Sequence, residues 1–314
     1  MKTGLAILFL LFISSSAIAQ SSGFAMLDIA PTPFSLSKAE ATTSIPDGSA
    51  SIYSNPALLI YNKSSSIDLS YTLWIAGVNN IFGGINFINE RRAIAFSFYS
   101  SGADDYQQYD RPGQSNGNFS IQYLSISAAY AYDFNYFSLG GAIQYLNEEV
   151  FTYQANGYAF NFGIATQVFD ERIKAGASLT NVGEMDQLNI NSTSLPSNLK
   201  FGLSADIAEL TAPKNDNLPI LISAFADFIH PLEDTSGKDF AGYISSENYF
   251  NLGLALTIAE VLELSGGYKT QNNVRPIAFG AGFTSNEITF NYALIPFNTG
   301  YGTVHSIGIK YQFN

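Results

Sequence analysis

The chain has 314 residues and a formal charge of −12, with 26 acidic against 14 basic residues, and only 13% of it is charged while 46% is apolar. So acidic a chain repels polyphosphate, which argues against a nucleic-acid partner, and so few charges argue against a soluble enzyme surface, where roughly a quarter of residues are charged. The absence of cysteine removes disulfides, thiolate catalysis and zinc–thiolate sites, while 26 glycines, 25 phenylalanines and 19 tyrosines favour strands and tight turns.

Residues 1–19 have the three-part layout of a secretory signal peptide: Lys2, an apolar run from Leu5 to Ile13, and Ala17-Ile18-Ala19 before Gln20. Cleavage is expected after Ala19. The run is too short to cross a hydrocarbon core of about 30 Å as a helix, and no later run is long enough either, so any membrane span must be made of strands. Residues 20–63 do not alternate in hydropathy. They contain Gly23-Phe24-Ala25-Met26-Leu27-Asp28-Ile29-Ala30-Pro31, then Ser44-Ile45-Pro46-Asp47-Gly48-Ser49-Ala50-Ser51-Ile52-Tyr53-Ser54-Asn55-Pro56-Ala57-Leu58-Leu59. Asp47, Gly48 and Ser49 read as a turn or helix cap, because Asp and Ser side chains bond nearby amides. Asn55-Pro56 reads as the start of a turn or short helix with proline at its first position. Ligand contact is the sharper alternative for these five residues. The segment is too long and too apolar to hang in solvent, and it is expected to form a hatch in a barrel lumen.

From residue 64 onward the chain repeats period-two segments. Ile67, Leu69, Tyr71 and Leu73 fall on one face and Asp68, Ser70 and Thr72 on the other; Phe250, Leu252, Leu254, Leu256 and Ile258 alternate with Asn251, Gly253, Ala255 and Thr257. A strand sends successive side chains to opposite faces, so each segment has one apolar and one small or polar face. Strands are predicted near 66–75, 80–88, 92–101, 119–134, 136–148, 153–169, 172–182, 198–208, 218–229, 248–259, 261–269, 276–284, 287–295 and 303–313. Their lengths suit tilted membrane strands, and the even count returns both termini to one side. A soluble sandwich also alternates, but its outer face would carry far more charge. The predicted fold is therefore all-β: a transmembrane antiparallel barrel over 64–314 with the 20–63 hatch in its lumen, located in the outer membrane with lipid around it. Short connections are expected after strands 2, 4, 6, 10 and 12, and long ones after strands 3, 5, 7 and 9, with a long exception at 209–217 on the short-turn side. Phe313, preceded at every second position by Tyr311, Ile309, Ile307 and His305, looks like the C-terminal β-signal read by the barrel assembly machinery, although Asn314 follows it.

Catalytic patterns are missing: there is no G-x-S-x-G elbow, no H-E-x-x-H and no phosphate-binding loop. His305 and Ser306 fall on opposite faces of one strand, and His230 reads as a solvated residue at a loop entrance. The acidic pairs Glu148-Glu149, Asp104-Asp105 and Glu233-Asp234 read as solvated rather than as calcium ligands. The chain is expected to be no enzyme and to need neither metal nor cofactor.

The phrase from Gly23 to Leu59 and the closing phrase Asn291-Tyr292-Ala293-Leu294-Ile295-Pro296-Phe297-Asn298-Thr299-Gly300, with His305-Ser306 after it, together resemble the PorV/PorQ family of Bacteroidota outer-membrane proteins. The chain departs from the family pattern at Ala30-Pro31-Thr32-Pro33-Phe34-Ser35-Leu36 and around Gly300-Tyr301. The resemblance implies a fourteen-stranded barrel related to the long-chain fatty-acid transporter fold. It also implies a non-enzymatic role in type IX secretion, with a secretion translocon or exported proteins as partners. The alternative is transport of a hydrophobic ligand such as a fatty acid.

Overall fold

A computed structural model describes residues 24–108, 117–188, 192–212, 215–232, 247–298, 300 and 302–313. The expected signal peptide, residues 109–116 of the long connection expected after strand 3, the Glu233-Asp234 pair and Asn314 lie outside the described residues, as do the side chains of Asp104-Asp105.

Fourteen antiparallel strands close into a barrel in which each pairs with its neighbour in sequence and the last with the first. They are β1 (Ser65–Leu73), β2 (Asn79–Asn89), β3 (Arg92–Gln108), β4 (Gly117–Asp133), β5 (Ser138–Val150), β6 (Tyr153–Val168), β7 (Ile173–Met185), β8 (Asn198–Ala212), β9 (Asn215–Pro231), β10 (Tyr249–Ile258), β11 (Leu262–Lys269), β12 (Ile277–Ser285), β13 (Ile288–Pro296) and β14 (Thr303–Phe313). Closure aligns Ser65 with Phe313, Leu69 with Ile309 and Leu73 with His305. The period-two pattern explains the faces. Ile67, Leu69, Tyr71 and Leu73 are between 38% and 50% exposed, whereas Ser66, Asp68, Ser70 and Thr72 are buried inside. An apolar band around the outside is tolerable only in lipid, so the chain is a membrane-spanning barrel.

The wall is uneven in height. Strands β3 and β4 run for 17 residues and β6 for 16, while β11 has 8 and β12 and β13 have 9. At the end that holds Ser65 and Phe313, adjacent strands are joined by connections such as 90–91, 134–137, 169–172 and 286–287. Tight turns with both ends of the wall mark the periplasmic side of such barrels.

Several boundaries differ from expectation. The connection after β5 is the two residues 151–152, not a long loop, because β5 runs on through Glu148-Glu149 to Val150. Acidic residues read as loop in the sequence, but Glu148 points inward and accepts the Thr193 hydroxyl at 2.7 Å. The long exception at 209–217 also vanishes, since β8 and β9 continue pairing as far as Ala212 and Asn215. β3 and β4 likewise extend the hairpin into the stretch read as a loop, to Gln108 and from Gly117. β1 stops at Leu73 rather than 75, because Trp74 and Ile75 turn in over the lumen mouth, where the Trp74 ring meets Phe297 edge-on at 5.8 Å. His230 belongs to β9 and not to a loop; it is exposed, with Nδ1 2.6 Å from Asn248 Oδ1.

Residues 24–62 lie inside the closed wall as a plug, in four short helical pieces: Ala25–Asp28, Pro33–Ser37, Ser51–Ser54 and Pro56–Tyr61. Two of them start by the same device. Thr32 and Asn55 accept the amides of Ser35 and Ala57 at 3.3 and 3.1 Å, each followed by a proline at the first helical position. Pieces this short have no stability of their own, so the plug's shape depends on what the lumen offers it.

Candidate functional site: the plug seat

One side of the lumen holds the plug by charge. Lys38 is fully buried, with Nζ 2.6 Å from Glu263 Oε1 on β11 and 3.5 Å from the centroid of the Phe34 ring. Glu40 receives Lys269, at the far end of β11, and Arg275 Nη1 at 3.0 Å. Lys310 on β14 lies 3.5 Å from Asp47 Oδ1 and 3.7 Å from Asp68 Oδ1, bridging plug and β1. Asp227 on β9 accepts the Thr43 amide at 2.9 Å. Buried charges are tolerated only when paired and hydrogen-bonded, and each of these ion pairs ties the plug to the barrel or, for Lys310 and Asp68, joins two adjacent strands.

The sequence-singled residues converge here. Asp47 is not a local helix cap: its carboxylate accepts the hydroxyls of Thr32 and Ser35 and faces Lys310, while its own amide donates to Ser51 Oγ at 2.9 Å. Gly48 has φ of +54°, and a Cβ there would lie 2.4 Å from both Asp68 carboxylate oxygens, so glycine is required twice over. Ser49 donates its amide and hydroxyl to Asp68 Oδ2, both at 2.8 Å. Asn55 does cap, as expected, and also donates Nδ2 to the carbonyls of Thr43 at 2.9 Å and Ile164 at 3.1 Å. Pro56 opens the helix beside it. Tyr311 and Phe313 point away from this cluster, on the outward face of β14, their rings stacked 6.3 Å apart. His305 also faces out and meets the Tyr292 hydroxyl at 2.7 Å, while Ser306 faces in against Thr72 at 2.6 Å, so the pleat does split the pair.

Inward glycines make the seat. A Cβ on Gly163 would fall 1.9 Å from Asn55 Oδ1, and one on Gly176 would fall 2.2 Å from the Thr43 carbonyl. Similar conflicts arise at Gly140 with Pro56, Gly267 with Lys38 and Gly280 with Ser37. The small inward residues leave the space that plug backbone fills at van der Waals distance.

The opposite side, β2 to β7, carries no such ion pair to the plug among the described residues. Phe24, Met26, Leu27, Ile52 and Leu59 of the plug pack there against Phe82, Tyr99 and the inward alanines 93, 95, 129, 131, 142, 155 and 159. Its polar contacts are neutral. The Tyr53 hydroxyl sits 3.3 and 3.2 Å from Ser125 and Ser127, and Asn161, at a bulge between β6 and β7, donates to the Ile52 carbonyl at 2.7 Å. In the connection between β7 and β8, Leu195 is buried against the same apolar cluster. At the periplasmic end a cavity of about 260 Å³ opens beneath the plug, lined by Phe34, Lys63, Gln167, Lys174, Glu263 and Lys310 among others.

Sequence reading missed Lys38, Glu40, Asp68, Asp227, Glu263, Lys269, Arg275 and Lys310. The available signal was a charged residue at an inward position of an alternating strand, as at Asp68 and Lys310. Glu40 carries a testable consequence. Burial alone would raise its pKa, but Lys269 and Arg275 outweigh burial and hold it down, at about 2. A carboxylate depressed in the folded state stabilises above its ordinary range and loses that contribution as pH falls through the folded value. Plug protection should therefore be complete above about pH 5 in the wild type and weaken progressively as pH falls toward 2, whereas E40Q should lack this acid step; protease accessibility of residues 24–62 across a pH series measures it.

No family model and no curated protein matches the chain. Among solved structures it is similar to the CymD monoaromatic hydrocarbon channel, with a TM-score of 0.62 at 12% identity over 91% of this chain and 98% of that one. It is also similar to the Pseudomonas putida toluene transporter TodX, with a TM-score of 0.58 at 11% identity over 94% and 99%. A Pseudomonas aeruginosa FadL homologue gives a TM-score of 0.54 at 10% identity over 95% and 100%. The chain has the fold of these outer-membrane barrels. The likeness is one of fold, shared with proteins described as channels and transporters rather than enzymes. Membership of PorV/PorQ, read from the two chain ends, finds no match in the family or curated comparisons.

Proposed function

We propose that this barrel passes small hydrophobic molecules across the outer membrane, with the plug yielding along the β2 to β7 side while its ionic side stays fixed. The observation that carries the reading is the division of the plug seat. Apolar packing and neutral hydrogen bonds face β2 to β7, and buried ion pairs face β11, β14 and β1. Opening a buried ion pair leaves uncompensated charge, whereas an apolar contact can be exchanged for one with an apolar ligand at little cost. The fold shared with CymD and TodX, described as a hydrocarbon channel and a toluene transporter, supports the same reading.

The secretion role implied by the PorV/PorQ resemblance ranks behind it. The hatch residues that carry part of that resemblance are spent on seating the plug: Asp47 is 2% and Asn55 0% exposed, so these two offer no surface to a partner.

Uptake of radiolabelled toluene by cells whose outer membrane lacks such a channel should rise severalfold on expression of the protein, and no rise would defeat the reading. The chain lacks cysteine, so a lock can be placed cleanly. Ser37 and Ser265 hydroxyls are 2.8 Å apart between plug and β11, close enough for a disulfide in S37C/S265C. Oxidation should leave uptake intact; its abolition would show that the plug leaves as a whole.

A further inference from the structure

The lumen face of β3, β4 and β5 carries a run of alanines, Ala93, Ala95, Ala129, Ala131 and Ala142, interrupted by one polar spot. Ser97 on β3 faces Ser127 on β4, which faces Gln144 on β5, and Ser125 lies two residues further along β4. All four are buried. Into this spot the plug inserts Tyr53. Its hydroxyl lies 3.3, 3.2 and 3.4 Å from the hydroxyls of Ser125, Ser127 and Ser97, and its ring meets Phe82 and Tyr99 edge-on at 6.2 and 5.7 Å. The wall hydroxyls are also linked to one another: Ser125 and Ser127 are 3.2 Å apart, and Ser125 donates to Gln144 Oε1 at 3.1 Å.

We propose that this slot is a receptor for phenols, in which Tyr53 is a resident stand-in that a hydroxylated monoaromatic molecule replaces when the plug yields. The inference rests on the reading that the β2 to β7 side is the side that yields, and it names the preferred cargo. Three observations carry it. The wall offers three hydroxyls, and a phenol hydroxyl, with one donor and two acceptor lone pairs, can engage all of them at once. These contacts are longer than the roughly 2.7–2.8 Å usual between hydroxyls, so a phenol free of the plug backbone can shorten them. The plug chain leaves the Tyr53 ring at its para carbon while Phe82 and Tyr99 stand against the ring, so a para substituent has room where the chain departs. A hydrocarbon of the same shape would leave Ser97 and Ser127 without the partner that Tyr53 gives them, and a site built to hydrogen-bond a hydroxyl discriminates against the analogue lacking it.

The test uses the mature chain in detergent. Y53A empties the slot and Y53F keeps it filled; heat-modifiable gel mobility confirms that both barrels are closed. Equilibrium dialysis of radiolabelled phenol and toluene, which differ only by hydroxyl against methyl, measures binding to each, and subtracting Y53F removes uptake into micelles. Y53A should bind phenol about tenfold more tightly than toluene, the equivalent of one unmade hydrogen bond. Adding S97A/S125A/S127A should abolish the difference. Equal binding of the two ligands by Y53A would show a merely apolar slot, and no binding of phenol would show no receptor; either overturns the proposal. Should the emptied plug collapse, seen as proteolysis within residues 24–62, the wild type decides. In cells expressing it, p-cresol should inhibit uptake of labelled toluene at about a tenfold lower concentration than p-xylene, and equal inhibition would overturn the proposal. Dialysis needs no transport, so absence of toluene uptake on expression would defeat the transport reading alone.

Discussion

K310M is expected to free the plug while leaving the barrel closed. Lys310 is the cation between Asp47 of the plug and Asp68 of β1, both of them almost fully buried. The two carboxylates exceed the single positive charge, and hydroxyls cover the difference: Ser35 on Asp47, Ser49 and Ser66 on Asp68. Removing the ammonium leaves two buried carboxylates facing each other, and breaking a buried pair in this way costs about 3–5 kcal/mol. Because fourteen paired strands hold the wall independently, that loss falls on the plug. Limited proteolysis should cut within residues 24–62 of K310M while heat-modifiable mobility stays as in the wild type. Neutralising the acids together, in K310M/D47N/D68N, should restore much of the protection, since amides need no counter-ion. A K310M plug as resistant as the wild type would show that the ion triad is not what holds it.

G163A should displace the plug from the β6–β7 side, and the effect should depend on Asn55. The added methyl would lie 1.9 Å from Asn55 Oδ1 and 3.2 Å from the Ala57 amide nitrogen, neither of which can yield freely. Asn55 is held by the carbonyls of Thr43 and Ile164, and Oδ1 by the Ala57 amide. Overpacking of this kind costs about 1–3 kcal/mol, and G163A/G176A should cost more because Gly176 abuts Thr43 and Asn55 from the neighbouring strand. In an N55A background the clash is relieved, so G163A should add little there. Residues in contact couple by roughly 0.5–3 kcal/mol, enough to read in a double-mutant cycle on plug protection. G141A is the control: its nearest atom would be 3.8 Å away on Phe162, and plug protection should not change. Equal costs for G163A with and without Asn55 would remove Asn55 from the contact.

The barrel wall was legible in the residues because its information is local. Alternation along 65–73 or 303–313 puts apolar side chains on one face whatever the rest of the chain does, and near-continuous repetition leaves a closed sheet as the only way to satisfy every strand edge in lipid. The errors fell where local chemistry misleads. Glu148-Glu149 and 209–212 look like loop, yet an inward-facing acid in a barrel can stay in strand if the lumen supplies a partner, as Thr193 does for Glu148.

The burial of residues 24–62 also followed from their apolar content, and the Asn55-Pro56 cap from two neighbouring residues. The seat itself did not. Lys38 meets Glu263 across 225 positions in sequence, and Arg275 meets Glu40 across 235. Parity along a strand says that Asp68, Glu263 and Lys310 point inward, but which charges come within hydrogen-bonding reach depends on closure of the barrel and on the height at which the plug rests. The role of Gly163 and Gly176 is hidden for the same reason, since a missing side chain has meaning only beside the backbone that takes its place. The sequence by itself determined the strands, their faces and the need to bury the hatch; only the tertiary structure decided its partners, because buried charge is paired by proximity in space and proximity was set by ring closure.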